Sequence, residues 1–313
     1  MPATKLLQNR IFLADGGLET DIIFNEGIDL PHFSSITLLA SAEGRTALER
    51  YYKRYIAIAR SNGFGFILES PTWRSSHDWG DLLGMSRAEL KAANAAAISL
   101  MIDLRSRHTA PGFPILVSGC VGPRGDGYVA GEIMRPEAAE AYHDEQIGTM
   151  AAAGAELISA ITMTNANEAI GIARSAARRN LPSVISFTVE TDGRLPDGQR
   201  LGEAITDVDT ATDAAPAYYM INCAHPMHFD HVLVDDAPWT RRIMGIRANA
   251  SSCSHAELNE ATELDRGDPA DLGLRYRTLH DRFPHLRVFG GCCGTDHEHI
   301  AAIANALPRE IPS

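Results

Sequence analysis

Short apolar runs alternate with longer amphipathic segments along this chain. The apolar runs cover residues 10–14, 64–68, 113–118, 156–160, 183–187, 217–221, 242–246 and 286–289. Apolar residues recur at helical spacing in the segments 43–61, 87–107, 136–153, 167–178 and 268–281. Short runs of this kind are typical of buried strands, and the spacing of the longer segments is typical of helices packed on one face. The pattern therefore predicts strands and helices in alternation.

Such alternation indicates a parallel sheet with its helices on the outside. Eight apolar runs in 313 residues match the number of strands in a (β/α)8 barrel, so we expect an α/β TIM barrel that forms a single domain over residues 1–313. An open, doubly wound sheet is the main alternative, but no Gly-x-Gly-x-x-Gly motif opens a helix after the first run. The polar segment 248–269 is expected to be a long barrel loop, and a role as a lid is left open.

Composition narrows the classes of partner. Hydrophobic residues make up 45% and charged residues 22% of the chain, as in a globular protein with a large core. The net charge of −12 argues against nucleic acid or an anionic membrane surface as a partner, since both attract basic patches. The start of the chain lacks the apolar centre of a secretory signal, and we expect a cytoplasmic protein. The sequence is compatible with a homo-oligomer and does not decide the oligomeric state.

Candidate functional residues follow several of the apolar runs. Because active sites of TIM barrels lie at the carboxyl ends of the strands, we expect these residues to share one mouth. They are Asp15, Gly16 and Gly17 after the first run, Glu69, Thr72 and Trp73 after the second, Asn222 and Cys223 after the sixth, Asn249 after the seventh, and Cys292 and Cys293 after the eighth.

The cysteines carry the most specific chemistry. Cys292 and Cys293 stand between Gly290-Gly291 and Gly294-Thr295, and Cys223 ends another apolar run. Clustered thiolates suit Zn²⁺, and three of them leave the fourth position open, as in catalytic zinc sites. The alternatives are that the two adjacent cysteines are small packed residues, or that His225 replaces one of them as a ligand. Without metal, a disulfide from Cys223 to one of the pair is a further hypothesis, as is a metal-free protein that stays reduced.

The run Gly-Gly-Cys-Cys-Gly-Thr together with Asn222-Cys223 resembles the zinc signature of the homocysteine S-methyltransferase family. The resemblance extends to Asp15-Gly16-Gly17, to Gly122-Pro123 and to the segment 185–188. It implies a zinc-dependent enzyme whose partners are two small molecules, a thiol acceptor and a methyl donor. The expected reaction transfers a methyl group from a sulfonium or quaternary ammonium donor to homocysteine and yields methionine.

One position departs from the family pattern. The family usually has a Glu-Thr pair after the fourth strand, where the glutamate helps to hold the amino group of homocysteine. Here Ile161 precedes the retained Thr162, and an apolar side chain cannot accept a hydrogen bond from an ammonium. Either Glu69, Glu19 or Asp15 takes over that role, or the acceptor is a different thiol.

We therefore expect Asp15 and Glu69 to be the catalytic residues, and Cys223, Cys292 and Cys293 to bind zinc. The expected substrate-binding residues are Gly16, Gly17, Glu19, Thr72, Trp73, Thr162, Asn222 and Asn249. Trp73 offers a π face for a positively charged donor and Tyr128 offers another, although packing at the mouth explains Trp73 equally well and the alternative for Tyr128 is a loop aromatic without a ligand. Two alternatives stay open for the whole protein: a family member with another thiol acceptor or a corrinoid methyl donor, and a zinc-binding barrel without catalysis.

Overall fold

The computed structural model describes residues 6–7, 10–260 and 263–309. Within them, parallel strands pair in sequence order and close into a barrel of eight. The strands are β1 (Phe12–Leu13), β2 (Gly65–Glu69), β3 (Ile115–Val121), β4 (Leu157–Met163), β5 (Ser183–Phe187), β6 (Pro216–Asn222), β7 (Ile243–Ala248) and β8 (Val288–Gly291). The barrel closes where Phe12 of β1 pairs with Val288 of β8. This confirms the predicted (β/α)8 fold.

Long helices surround the barrel. They are α1 (Ala42–Asn62), α2 (Arg87–His108), α3 (Pro136–Ala153), α4 (Ala166–Ala177), α5 (Leu201–Thr212), α6 (Pro269–Arg282) and α7 (His297–Ala306). Shorter helical segments span Leu18–Thr20, Asp21–Asn25, Pro31–Phe33, Ser35–Ala40, His77–Leu82, Pro226–Phe229, Pro238–Arg241 and His255–Glu260. Between β6 and β7, two helices of four residues each take the place of a long one. The predicted loop 248–269 contains the short helix His255–Glu260.

The amphipathic segments correspond to α1, α2, α3, α4 and α6, with ends that agree within one residue. Helix α5 is not among the amphipathic segments, because it is rich in Thr and Asp, which have low helix propensity. It forms because Leu201, Ala204, Ile205 and Val208 are buried against the barrel. Tertiary packing thus overrides local propensity at this helix.

Two apolar cores hold the fold. One lies between the sheet and the helices and contains the buried Tyr51, Tyr52 and Tyr55 of α1. The other fills the barrel interior with side chains that alternate along the strands. It includes Phe12, Ile67, Leu116, Leu157, Val184, Tyr218, Met220 and Val288. The interior is therefore packed, and any ligand must bind above it, at the carboxyl ends of the strands.

Across the described ranges, no helix is both long enough and apolar enough to cross a membrane.

Candidate active site

A cavity of about 360 Å³ lies above the barrel core. Its wall contains most of the residues that the sequence places at the strand ends. These are Asp15, Gly16, Gly17, Glu19, Glu69, Trp73, Thr162, Cys223, Cys292 and Cys293. Three others, Thr72, Asn222 and Asn249, are buried but do not line the cavity.

The three cysteines meet at the wall of this cavity. The sulfurs of Cys223, Cys292 and Cys293 all lie within 4.8 Å of one another. Three sulfurs bound to one tetrahedral zinc ion at ~2.3 Å would be about 3.8 Å apart, a spacing that lies within the 4.8 Å that encloses this cluster. Within the described part of the chain, the cluster contains no histidine or carboxylate. His225 is therefore not brought into it, and the donor set leaves a fourth position open.

Two of these sulfurs form a disulfide. Cys223 is joined to Cys292 across a Cα–Cα distance of 5.3 Å, while Cys293 remains a free thiol. The structure thus pairs Cys223 with Cys292, which is one of the two pairings that the disulfide hypothesis allows. The same two sulfurs cannot be thiolate ligands at the same time, so the disulfide and a bound zinc ion exclude each other.

Glycines bring the end of β1 against the cysteine turn. A Cβ on Gly17 would lie 2.5 Å from the carbonyl oxygen of Cys292, and one on Gly291 would lie 2.0 Å from Oγ1 of Thr295. Gly294 has a φ of +77°, a conformation that favours glycine. These contacts leave no space for a side chain at either close approach, which explains why glycine flanks the cysteines.

Cys223 itself has an unusual backbone. Its φ of +51° is in the left-handed region, which a residue with a side chain rarely adopts. Its carbonyl oxygen accepts hydrogen bonds from His255 Nε2 at 2.7 Å, Asn249 Nδ2 at 3.0 Å and Thr188 Oγ1 at 3.4 Å. Asn249 therefore acts on the backbone of a cysteine. Strained residues cluster at functional sites, where the surrounding structure holds them in place.

A second left-handed residue stands beside it. Thr162, at the end of β4, has a φ of +67° although it is β-branched. Asn222 holds it, because Asn222 Oδ1 accepts from the Thr162 backbone N–H at 2.9 Å and Asn222 Nδ2 donates to Thr162 Oγ1 at 2.7 Å. Ser186 also donates to Asn222 Oδ1, at 2.6 Å. Asn222 thus ties the ends of three strands together beneath the cysteines.

Buried charges form the floor of the cavity. Arg247 of β7 donates from Nη2 to Asp15 Oδ1 at 2.6 Å, and its Nη1 lies 3.9 Å from Glu69 Oε1. Tyr51 donates to the other oxygen of Asp15 at 3.1 Å. Glu69 Oε2 is buried, and none of the described residues is close enough to donate a hydrogen bond to it. Burial raises the pKa of Glu69, and the charge of Arg247 together with hydrogen bonds from two serine hydroxyls of β3 and β4 opposes that rise. A buried carboxylate with a free oxygen is a strong acceptor for a positively charged group.

Aromatic residues and a second arginine line the mouth. The Arg74 guanidinium carbon lies 4.2 Å from the Trp79 ring centre and 5.0 Å from that of Trp73. Trp73 Nε1 donates to the carbonyl of Ile161 at 3.1 Å. Thr72 is turned away and donates from Oγ1 to a backbone carbonyl of β3 at 2.6 Å. Burial raises the pKa of Glu19, whose Oε1 accepts from a serine hydroxyl at 2.8 Å.

Comparison with known proteins bears on this arrangement. A family model described as homocysteine S-methyltransferase matches residues 12–307. The chain belongs to the homocysteine S-methyltransferase family. The family resemblance that the sequence indicates is therefore confirmed.

Curated relatives of this family member come from plants. Homocysteine S-methyltransferase 3 of Arabidopsis thaliana is 26% identical over 207 residues, which are 63% of this chain and 58% of that protein. The matched part therefore spans less than two thirds of that relative. Homocysteine S-methyltransferase 1 of the same plant is 20% identical over 320 residues, 95% of this chain and 93% of that protein.

Solved structures of a bacterial homocysteine methyltransferase are similar in fold. The oxidized form of MmuM from Escherichia coli has a TM-score of 0.76 at 21% identity, covering 94% of this chain and 95% of that one. Its metallated form has a TM-score of 0.73 at 20% identity, covering 97% and 98%.

Sequence patterns did not identify three charged or polar residues of this site, which are Arg74, Arg247 and His255. Arg247 is a charged residue inside the otherwise apolar segment Ile243–Ala248, and that contrast is a signal for it. His255 lies in the polar segment after β7, where nothing in the sequence sets it apart. Ile161 lines the cavity, as expected of a residue at the end of β4.

Proposed function

We propose that this protein is a zinc-dependent S-methyltransferase that moves a methyl group from a sulfonium or quaternary ammonium donor to homocysteine, giving methionine. The observation that supports it most directly is the cluster of three cysteine sulfurs on the cavity wall of a member of this family. In the reduced protein, Cys223, Cys292 and Cys293 would hold the ion. Zinc supplies a positive centre that keeps an acceptor thiol deprotonated and oriented.

The cavity floor supports an acceptor with an amino group. Glu69 offers a buried oxygen to which no residue of the described ranges donates a hydrogen bond, whereas both oxygens of Asp15 accept one. The ammonium of homocysteine would donate to Glu69, which makes Glu69 the substitute for the glutamate that Ile161 replaces. Gly16 and Gly17, packed against the cysteine turn, then border the same end of the acceptor.

The mouth supports a donor that carries a carboxylate in addition to its cationic methyl group. Arg74 stacks on Trp73, so part of this aromatic surface is already used by a cation. Its Nη1 donates to a backbone carbonyl, and its Nη2 lies 3.4 Å from Asp126. An arginine with one long ion pair attracts an anionic group. Betaine, S-methylmethionine and dimethylsulfoniopropionate all meet this requirement.

The reaction needs thiolates, so we place the protein in a reducing compartment such as the cytoplasm. The test is a methyl-transfer screen on reduced, zinc-loaded protein that crosses homocysteine and other thiols with these donors and S-adenosylmethionine. We expect the wild-type protein to methylate homocysteine and Cys292→Ser to lose this activity. Cys253→Ser is the control, because it removes a sulfur that lies outside the cluster, and it should remain active. Zinc binding without transfer to any thiol would instead favour the zinc-binding barrel without catalysis.

A thiol without an amino group is the second candidate for the acceptor. Two observations favour it: Ile161 presents an apolar side chain to the cavity, and Asp15 is already in an ion pair with Arg247. The same screen distinguishes the two candidates, because this candidate predicts faster transfer to 4-mercaptobutanoate, which is homocysteine without its amino group. A corrinoid protein as the methyl donor would appear as activity with methylcobalamin alone.

A further inference from the structure

Tyr128 reaches the cysteine cluster from a different part of the barrel. It lies in the loop between β3 and α3, and its hydroxyl donates to the sulfur of Cys293 at 3.3 Å. Cys293 is the cluster sulfur that the disulfide leaves free.

His255 supports Tyr128 from the loop after β7. The two rings are stacked, with centres 4.0 Å apart and planes inclined by 15°. His255 Nε2 donates to the carbonyl oxygen of Cys223 at 2.7 Å, since a carbonyl can only accept. Its Nδ1 lies 3.0 Å from Glu190 Oε1, which fixes the plane of the ring. One face of His255 thus carries Tyr128, and its edge holds the backbone of another cysteine.

We propose that Tyr128 and His255 form a stacked positioning pair that orients two of the three zinc-binding cysteines. Tyr128 acts on the sulfur of Cys293, and His255 acts on the backbone of Cys223. Neither side chain is a zinc ligand. The inference rests on the zinc site of the proposed function and adds the residues that orient it.

The backbone of Cys223 shows why such a pair is needed. A left-handed cysteine at φ +51° relaxes to an ordinary conformation unless hydrogen bonds hold it, and that change would swing its sulfur away from the other two. Of the donors to its carbonyl, His255 makes the shortest hydrogen bond, at 2.7 Å. Its loss should therefore disorder one ligand while the other two stay in place.

Tyr128 acts on charge as well as on position. A thiolate bound to zinc carries negative charge that an O–H donor stabilises, and partners of this kind usually change metal affinity by about 10- to 100-fold when they are removed. The hydroxyl also holds Cys293, which follows directly after Cys292 and has no disulfide to fix it. The pair therefore links the loops after β3 and β7 to the same three sulfurs.

The test uses variants that keep an aromatic ring in the stack and remove the polar atoms of one residue each, which for His255 includes the contact of Nδ1 with Glu190. Tyr128→Phe removes the donor to Cys293, and His255→Phe removes the donor to Cys223. Tyr142→Phe is the matched control, because it removes a buried tyrosine hydroxyl that contacts Ser76 outside the cluster. Zinc dissociation constants are measured by chelator competition on the fully reduced proteins, together with the sulfur-to-cobalt charge-transfer spectrum of the Co²⁺ forms.

We expect both variants to bind zinc about 10- to 100-fold more weakly than the wild type, with Tyr142→Phe unchanged. The charge-transfer band should shift to lower energy in Tyr128→Phe, because the Cys293 thiolate loses a stabilising hydrogen-bond donor. If Tyr128 had a purely structural role, the energy of the band would not change. Wild-type zinc affinity and spectra in both variants would overturn the proposal. A wild-type protein that binds no zinc would overturn the proposed function and this inference together, whereas zinc binding without methyl transfer would overturn only the function.

Discussion

Glu69→Gln offers the sharpest test of how the acceptor is recognised. The substitution keeps the size of the side chain and its position on the cavity floor, but it removes the negative charge. Glu69 Oε2 is buried and has no hydrogen-bond donor in the part of the chain that the structure describes, while Arg247 Nη1 lies 3.9 Å from the other oxygen. The proposed partner of this oxygen is the amino group of the acceptor.

The size of the effect follows from that geometry. A hydrogen bond to a charged group contributes about 1.5–3 kcal/mol, which corresponds to a factor of about 10 to 150 in affinity. We expect the Michaelis constant for homocysteine to rise by this factor in Glu69→Gln, with unchanged zinc content. The constant for 4-mercaptobutanoate should change little, because this thiol has no ammonium to lose.

The pH dependence of the Michaelis constant for homocysteine tests the same contact with Glu69. Burial raises the pKa of Glu69 above its ordinary value of 4.5. Only the ionised carboxylate attracts an ammonium, so the Michaelis constant for homocysteine should begin to rise at a pH above 4.5 as the solution is made more acidic. In Glu69→Gln, the Michaelis constant for homocysteine should no longer depend on pH in this way. The Michaelis constant for 4-mercaptobutanoate should depend only weakly on pH in both proteins.

The assay is steady-state methyl transfer with both thiols over this pH range. Glu145→Gln serves as the control, since it removes an exposed carboxylate paired with Arg87 on the protein surface. If Glu69→Gln leaves the ratio of kcat/KM values for the two thiols unchanged, Glu69 does not bind the acceptor, and the reasoning from its free oxygen is refuted.

Four further outcomes are expected. Cys292→Ser should lose most of its zinc in elemental analysis because a soft ligand is removed, and full retention would exclude Cys292 as a ligand. Air-oxidised, metal-free protein should show the Cys223–Cys292 disulfide by mass spectrometry and should bind zinc only after reduction; three free thiols would contradict this. Arg247→Met should lower the free energy of unfolding in urea by about 3–5 kcal/mol, because buried carboxylates lose their partner, and an unchanged midpoint would show that this pair is not stabilising. Ile161→Glu should improve the use of homocysteine relative to 4-mercaptobutanoate, and an unchanged ratio would show that position 161 does not contact the acceptor.

Much of the architecture is readable from the chain itself. Apolar runs and amphipathic segments reflect which faces are buried, and burial has the same period in every unit of a parallel barrel. The ends of α1 and α3 could therefore be placed within one residue of their observed positions. Helix α5 could not, because its buried side chains stabilise it against its own low propensity.

The cysteine cluster is also predictable, since its signal is local. Cys292 and Cys293 stand in a glycine-flanked turn, and Cys223 follows a strand, so a parallel barrel must bring them to the same mouth. The sequence alone leaves open which of the pair joins Cys223. That choice is made in three dimensions, where the Cα atoms of Cys223 and Cys292 come within 5.3 Å.

The roles of the polar residues around the cluster were decided only by the tertiary structure. Asn222 and Asn249 lie at strand ends as predicted, yet their amides hold the backbones of Thr162 and Cys223 and do not line the cavity. Arg247 reaches Asp15 across 232 positions of the sequence. Hydrogen-bonding partners depend on barrel closure, strand register and side-chain direction within a few tenths of an ångström. The residue types of one chain determine which chemistry is available, and folding decides which atoms meet.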